Sequence, residues 1–252
     1  MRLENKIAIV TGGGSGFGEG IVKRFSEEGC KVIINDINSE GGNRVEGIVK
    51  RSGGHALFVE ADISTELGWK KLVEASLEEF GKFDIVVNNA GYTHKNQSMF
   101  TVSERDYDQI YAVNMKSLFW SSRYVVPELE RNEGGVMITV ASVAGIRPRP
   151  GLTWYNGSKA AAIITSRSMA VELAPKKIRV NIINPVMGET GMLEDFMGMV
   201  DTPENRKKFL GTIPLGRLAR ASDVANAALY LASDEAELIT GACLEVDGGR
   251  TV

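Results

Sequence analysis

Cysteine is almost absent: Cys30 and Cys243 are the only two, far apart and outside any CxxC spacing. That excludes a disulfide framework and a zinc knuckle, and it fits a reducing compartment. Histidine is as scarce, with His55 and His94 alone, so a multi-histidine metal centre is not expected and no metal is assigned. An excess of one charge is missing as well. Lys and Arg total 29 against 32 Asp and Glu, a net charge of −3, too mild to point to nucleic acid as a partner. No apolar run approaches the roughly 18 residues of a membrane span, and the opening MRLENKIAIVTGG has no apolar run of signal-peptide length. A soluble, cytoplasmic protein is expected.

What the chain does contain is alternation. Short β-branched runs at 6–10, 31–36, 55–62, 83–89, 135–142, 178–184 and 243–247 are separated by longer amphipathic stretches, the pattern of βαβ units feeding a parallel sheet. The expected fold is one doubly wound α/β domain, a seven-stranded parallel sheet flanked by helices over 1–252. In the first helical stretch Phe17, Ile21 and Phe25 recur every fourth residue, and Gly29 is placed to end it. No repeat, low-complexity tract or linker marks a second domain. One segment departs from the alternation. Between Pro185 and Asp223 methionines and phenylalanines stand beside charged residues, too long for an ordinary connection and too apolar for a disordered tail. Two readings stay open: short helices within about 187–215 forming a lid over an apolar pocket, or a plain helix pair packed on the core.

Three features bear on chemistry. TGGGSGFG, residues 11–18, follows the first strand and opens a helix. Gly12, Gly16 and Gly18 would let the backbone approach a pyrophosphate at the helix N-terminus, although a glycine-rich turn alone would look the same. Asp36 closes the second strand, where a carboxylate can accept ribose hydroxyls and repel a 2′-phosphate. With Ile37 and Asn38 uncharged and Ser15 neutral inside the loop, NAD(H) is preferred over NADP(H). The third feature is WYNGSKAAA, which sets Tyr155 and Lys159 four apart, on one face of a helix. An ammonium beside a phenol favours the phenolate, so Lys159 is expected to pull the Tyr155 pKa down. By itself such a pair also arises by chance.

TGGGSGFG, NNAG at 88–91, Asn114, Ser142 and YNGSK at 155–159, in this order and at these separations, resemble the classical short-chain dehydrogenase/reductase family. The likeness covers almost the whole chain, and the closing ITGACLEVDGG is similar to that family's last strand. The resemblance implies a Rossmann-type fold and hydride transfer between a nicotinamide cofactor and an alcohol or carbonyl. Tyr155 would be the acid/base, Ser142 would position the substrate oxygen, Lys159 would hold the nicotinamide ribose, and Asn114 would hold a water. Phe17 and Ile37 flank the cofactor loop and Asp36. Asp62 and Ile63 match positions near the adenine; Asn89, Ala90 and Gly91 match the backbone beside the adenosine ribose; Pro185, Gly188 and Thr190 match the loop at the carboxamide.

The substrate pocket is expected to be walled by Tyr92, His94, Val143 and Leu152, with Trp154, Met187, Met192 and Phe196. Mostly apolar walls suggest a secondary alcohol or ketone with a hydrophobic, possibly cyclic, body. A 3-oxoacyl carrier-protein reductase is the alternative enzyme. Asp36 disfavours its usual NADPH, and Val171 stands where those reductases usually carry an arginine, although Arg131, Arg147 and Arg149 could attract an anionic partner. A non-catalytic nucleotide-sensing or scaffold protein is the alternative of another class. The family's habit also implies a homotetramer, paired through the helices flanking the fifth strand and through the last strand.

Overall fold

The computed structural model describes all residues, Met1–Val252. Its strands are β1 Ile7–Thr11, β2 Lys31–Asp36, β3 Ala56–Glu60, β4 Ile85–Asn88, β5 Gly135–Val140, β6 Ile178–Pro185 and β7 Cys243–Val246. They form a 7-stranded sheet in the order β3-β2-β1-β4-β5-β6-β7, parallel throughout. The helices are α1 Gly16–Glu27, α2 Ser39–Arg51, α3 Glu66–Phe80, α4 Glu104–Tyr111, α5 Ser117–Arg131, α6 Thr153–Leu173, α7 Leu193–Met197, α8 Pro203–Leu210 and α9 Ala221–Ala232. The strand order reverses between β1 and β4, and there the loops leaving the two strands diverge and open a crevice.

Alternation along each strand builds the two layers. Ala8 and Val10 of β1 pack with Ile21, Val22 and Phe25 of α1 and with Val224, Ala228 and Leu229 of α9. Ile7 and Ile9 point the other way, toward Trp69 and Leu72 of α3, Val125 and Leu129 of α5 and Leu173 of α6. Because both faces are covered, β1 is buried at every position, which is why it reads as a continuous apolar run rather than an alternating one.

Helix α1 ends as its sequence predicts. Gly29 takes a left-handed φ of 84°; its N–H bonds the Ser26 carbonyl, and the Cys30 N–H bonds that of Phe25. This pair of bonds closes the helix in a Schellman motif and turns the chain into β2. Asn35 in β2 is fully enclosed, yet its side-chain amide donates to the carbonyls of Val59 and Ala61, holding the end of β3 beside the crevice.

The irregular segment after β6 folds as two short helices, α7 and α8, around a small core of Met187, Leu193, Met197, Ile213 and Leu218. Its link to the body runs through Asn96. The Asn96 amide donates to the carbonyls of Pro150 and Phe196, and its N–H to that of Asp195.

Phe25 lies wholly buried between α1, β1 and α9. Phe25→Ala is expected to lower unfolding free energy by about 3–5 kcal/mol, measured by urea denaturation at fixed protein concentration.

Candidate active site

The crevice is a cavity of about 370 Å³. One end is glycine. Gly12 and Gly16 take left-handed φ values of 63° and 54°. A Cβ on Gly18 would sit 2.0 Å from the Gly12 carbonyl oxygen, so the turn closes only with hydrogen there. Ser15 caps α1 without a side-chain bond, which leaves the first-turn N–H groups of the helix free toward the cavity. This is a cradle for a phosphate, with positive dipole and no side chain in the way.

The loop is held by its neighbours. The Thr11 hydroxyl donates to the Val87 carbonyl and accepts from the N–H groups of Asn89 and Ala90. The Asn89 amide in turn donates to the Thr11 and Gly12 carbonyls. Asn89 thus fastens β1 to β4, a role the motif alone does not reveal. At the end of β2 the two oxygens of Asp36 accept from the Gly14 and Asn38 N–H groups, which fixes the carboxylate facing the cavity with Ile37, Asp62 and Ile63.

Arg44 comes to this end from α2, a residue that adjacency in sequence does not point to. Its guanidinium donates to the Gly14 carbonyl and doubly to Glu19 of α1. Glu19 also pairs with Lys23. The Arg44 hydrogen bond holds the Glu19 carboxyl down at about 2, against the opposing effect of burial. So this cation beside the Asp36 loop is already neutralised.

The other end of the cavity gathers Ser142, Tyr155 and Lys159. Ser142 follows β5 in extended conformation, its hydroxyl accepting from the Ala144 N–H. Tyr155 and Lys159 share a face at the start of α6, both buried, with the ammonium 5.9 Å from the ring centroid. Lys159 Nζ donates to the Val140 carbonyl at 3.0 Å. Gly91 lies against this pair: a Cβ there would be 3.3 Å from Lys159 Nζ and 3.6 Å from Asn114 Oδ1.

The charge balance differs from the one the pair suggests in sequence. Burial pushes the Tyr155 phenol up to about 12, and the hydrogen bond with Ser142 opposes only part of that. Burial likewise pushes Lys159 down to about 8. Enclosure penalises phenolate and ammonium alike, and it is the leading cause of both shifts. The phenol is therefore a protonated donor at neutral pH.

Asn114 stands in a π-helical turn, Ala112–Lys116, between α4 and α5. Its Oδ1 accepts from the Tyr92 N–H, and its Nδ2 donates to the Tyr92 carbonyl and the Ser158 hydroxyl. Ser158 passes the chain on to the Tyr155 carbonyl. The side chain of Asn114 is thus engaged in bracing the loop after β4 against α6, and it does not line the cavity.

Tyr92, Val143, Leu152, Met187, Met192 and Phe196 do line it, as do Ala90, Pro185, Gly188 and Thr190 on the cofactor side. The Phe196 ring packs edge-on to Tyr155, centroids 5.2 Å apart. Two expected pocket residues are elsewhere. His94 is buried beneath the loop with Nδ1 2.8 Å from the Lys95 carbonyl oxygen. Trp154 turns outward, donating to the Met99 carbonyl and meeting Tyr107 edge-on. The structure adds Gln109, Ala144, Arg147 and Arg149 to the lining. No group of histidine, cysteine or carboxylate side chains is arranged to hold a metal ion, and no helix is long and apolar enough to cross a membrane.

Comparison with known proteins follows the same outline. The model of a family described as enoyl-(acyl carrier protein) reductase matches residues 12–251. A 4-formylbenzenesulfonate dehydrogenase of Comamonas testosteroni is 48% identical over 252 residues, 100% of both chains. A 7alpha-hydroxysteroid dehydrogenase of Escherichia coli (strain K12) is 39% identical over 249 residues, 99% of this chain and 95% of that one. The crystal structure of a 3-ketoacyl-(acyl-carrier-protein) reductase from Brucella melitensis, complexed with NADH, superposes with a TM-score of 0.93 at 45% identity, covering 99% of this chain and 100% of that one.

The Glu19–Arg44 contact yields a pH dependence. A carboxyl lowered from 4.5 to about 2 contributes stability that is complete above pH 4.5 and lost as pH falls through 2. After allowance for solvent screening the contribution is about 1 kcal/mol. Glu19→Gln should therefore be less stable than wild type at pH 7, with the gap closing toward pH 2, measured by denaturant titrations across that range.

Proposed function

The chain belongs to the classical short-chain dehydrogenase/reductase family and is an oxidoreductase, and from that premise we propose that it moves a hydride between NAD(H) and a secondary alcohol or ketone with an apolar, ring-shaped body. The observation that carries this reading is the joining, in one cavity, of a glycine cradle with a cluster of half-buried Ser142 and buried Tyr155 and Lys159. The residues fit a dinucleotide: Gly12, Ser15, Gly16, Phe17 and Gly18 would hold its phosphates, Asp36 and Ile37 the adenosine ribose, and Asp62 and Ile63 the adenine. Asn89, Ala90 and Gly91 would bound its middle, with Pro185, Gly188 and Thr190 at the carboxamide. When bound, the nicotinamide would supply or accept the hydride.

The protein's own groups do the rest. Ser142 donates to the substrate oxygen and fixes it beside the Tyr155 hydroxyl. For a ketone, charge grows on that oxygen as reduction proceeds, and the protonated Tyr155 neutralises it by donating its proton. For an alcohol, the same phenol must first lose its proton, which burial makes hard near neutrality. Lys159 would hold the nicotinamide ribose while supporting the phenolate, and Asn114 keeps the Tyr92 loop and α6 in register. Met187, Met192 and Phe196 would close an apolar lid over the substrate body and exclude water. A ring-shaped substrate is supported by the aromatic and steroid substrates named for the two dehydrogenase relatives.

Preference for NAD(H) rests on Asp36 and on Arg44. A 2′-phosphate would meet a fixed carboxylate, and the nearby guanidinium is held by Glu19 instead of being free to greet it. The NADH complex of the Brucella neighbour supports the same cofactor. That neighbour's name also keeps a second reading, reduction of a 3-oxoacyl group on a carrier protein. Against it, Val171 offers an exposed apolar surface at the position where such reductases usually have an arginine. Exposed Phe119, Ile164 and Val171 on α5 and α6 support assembly as a homotetramer through those helices.

Titration of NADH and NADPH separately, followed by nicotinamide fluorescence, should give NADH tighter by at least about tenfold, roughly 1.4 kcal/mol. Preference for NADPH would promote the carrier-protein reductase, and binding of neither would leave a scaffold role. Tyr155→Phe should abolish turnover of cyclic ketones while NADH still binds; turnover that survives this change would remove Tyr155 from the mechanism. In wild type, alcohol oxidation should rise with pH as the phenol, shifted up to about 12, begins to ionise, whereas ketone reduction should show no such rise.

A further inference from the structure

Arg147 and Arg149, from the segment before α6, line the cavity, and Arg250, from the segment after β7, stands next to both. None of them pairs with an aspartate or glutamate side chain. Arg147 is turned to the tail, donating to the Arg250 and Val252 carbonyls. Arg250 is partly buried and its Nε has no partner. The nearby Asp247 carboxylate is occupied by the N–H groups of Gly249 and Thr251 and by the Thr251 hydroxyl.

Arg149 differs from the other two. It lines the same cavity as Ser142 and Tyr155. Its guanidinium lies over the Phe209 ring, 5.3 Å from the centroid, and its one side-chain hydrogen bond, to Thr212 Oγ1, is long at 3.5 Å. The backbone beneath it is fixed, since the Asn156 amide, adjacent to Tyr155, donates to the Arg149 carbonyl. Burial and the charge of Arg250 both push Arg149 below the usual arginine range. A guanidinium has five N–H donors, and keeping one half-enclosed beside a second cation, without a carboxylate, is unfavourable unless an anion completes the site. Because Arg149 lines the cavity that also holds Ser142 and Tyr155, an anion that meets it there belongs to a small molecule in that cavity.

We infer that Arg149 is a specificity-determining residue that binds a carboxylate-type oxyanion on the substrate, distal to the carbonyl that meets Tyr155, with Arg147 and Arg250 adding positive potential. The inference rests on the proposed oxidoreductase reading and names the substrate class as ring-borne carbonyls that carry an anionic substituent. A fork-shaped cation backed by an aromatic face suits a carboxylate, which it can meet with two parallel hydrogen bonds.

The test compares two ketones that differ in charge at one position, 4-acetylbenzoate and 4-methylacetophenone, with NADH and the full-length protein. Wild type should favour the carboxylate in kcat/KM by at least about tenfold, and added salt should shrink that advantage because the site is only half-enclosed. Arg149→Gln should cut the ratio by at least about tenfold, and Arg149→Lys should retain part of it. A wild-type ratio at or below one, or an equal ratio in Arg149→Gln, would overturn the inference. If neither ketone is turned over, the oxidoreductase reading fails on these substrates, and calorimetric binding of benzoate decides the inference separately. Binding weaker in Arg149→Gln by about tenfold supports it; equal binding rejects it.

Discussion

A single hydroxyl holds together the place where everything else in this protein happens. Thr11 ends β1, and its side chain bonds three backbone groups of β4 and the loop beyond it. Parallel strands that lead to opposite sides of a sheet must part at their carboxyl ends, and the gap between them is the natural seat of a ligand. Left alone, that gap would be lined by unpaired backbone. Thr11 and Asn89 satisfy those groups and hold the two loops at one separation, so close that a Cβ on Gly12 would sit 3.0 Å from the Ala90 Cα. The cradle, the position of Gly91 and the setting of Lys159 against it follow from this contact.

The Tyr155 end obeys a different constraint, enclosure. Tyr155 and Lys159 are each about 5% exposed. In so dry a place charge is the costly state, and the pair settles toward neutral phenol and easily deprotonated amine. Opposite behaviour holds at the glycine end, where half-exposed Arg44 and the more enclosed Glu19 stay charged and cancel each other. One cavity therefore joins a neutralised dry end to a wetter one rich in backbone dipoles.

Much of this was legible in sequence, because the signals were local. The β-branched runs mark all the strands of the sheet, with ends shifted by a residue or two. Gly29 marks the end of α1, and the residues from Gly12 to Gly18 mark the cradle. What adjacency could not supply is long-range pairing. Arg44 reaches the Gly14 carbonyl across a whole strand and turn, and Arg149 meets Arg250 from the far end of the chain. Phasing misplaced two residues. His94 and Trp154 neighbour pocket residues in sequence but point beneath and away from the cavity, since their backbones have turned by the time those side chains emerge. The Tyr155–Lys159 spacing placed the two on one helix face, and it could not show the burial that raises the phenol, because burial is a property of the whole fold.

The π turn at Ala112–Lys116 carries a consequence for how this chain can vary. A wide turn holds one residue more than a regular helical turn. Removing that residue would let the turn tighten to regular helical geometry while Leu118, Val125 and Leu129 of α5 keep their phase in the core. The cost would fall on Asn114, whose side chain reaches the Tyr92 backbone and the Ser158 hydroxyl from the wide turn. The fold of α5 is thus indifferent to the extra residue, and only the brace between the Tyr92 loop and α6 requires it.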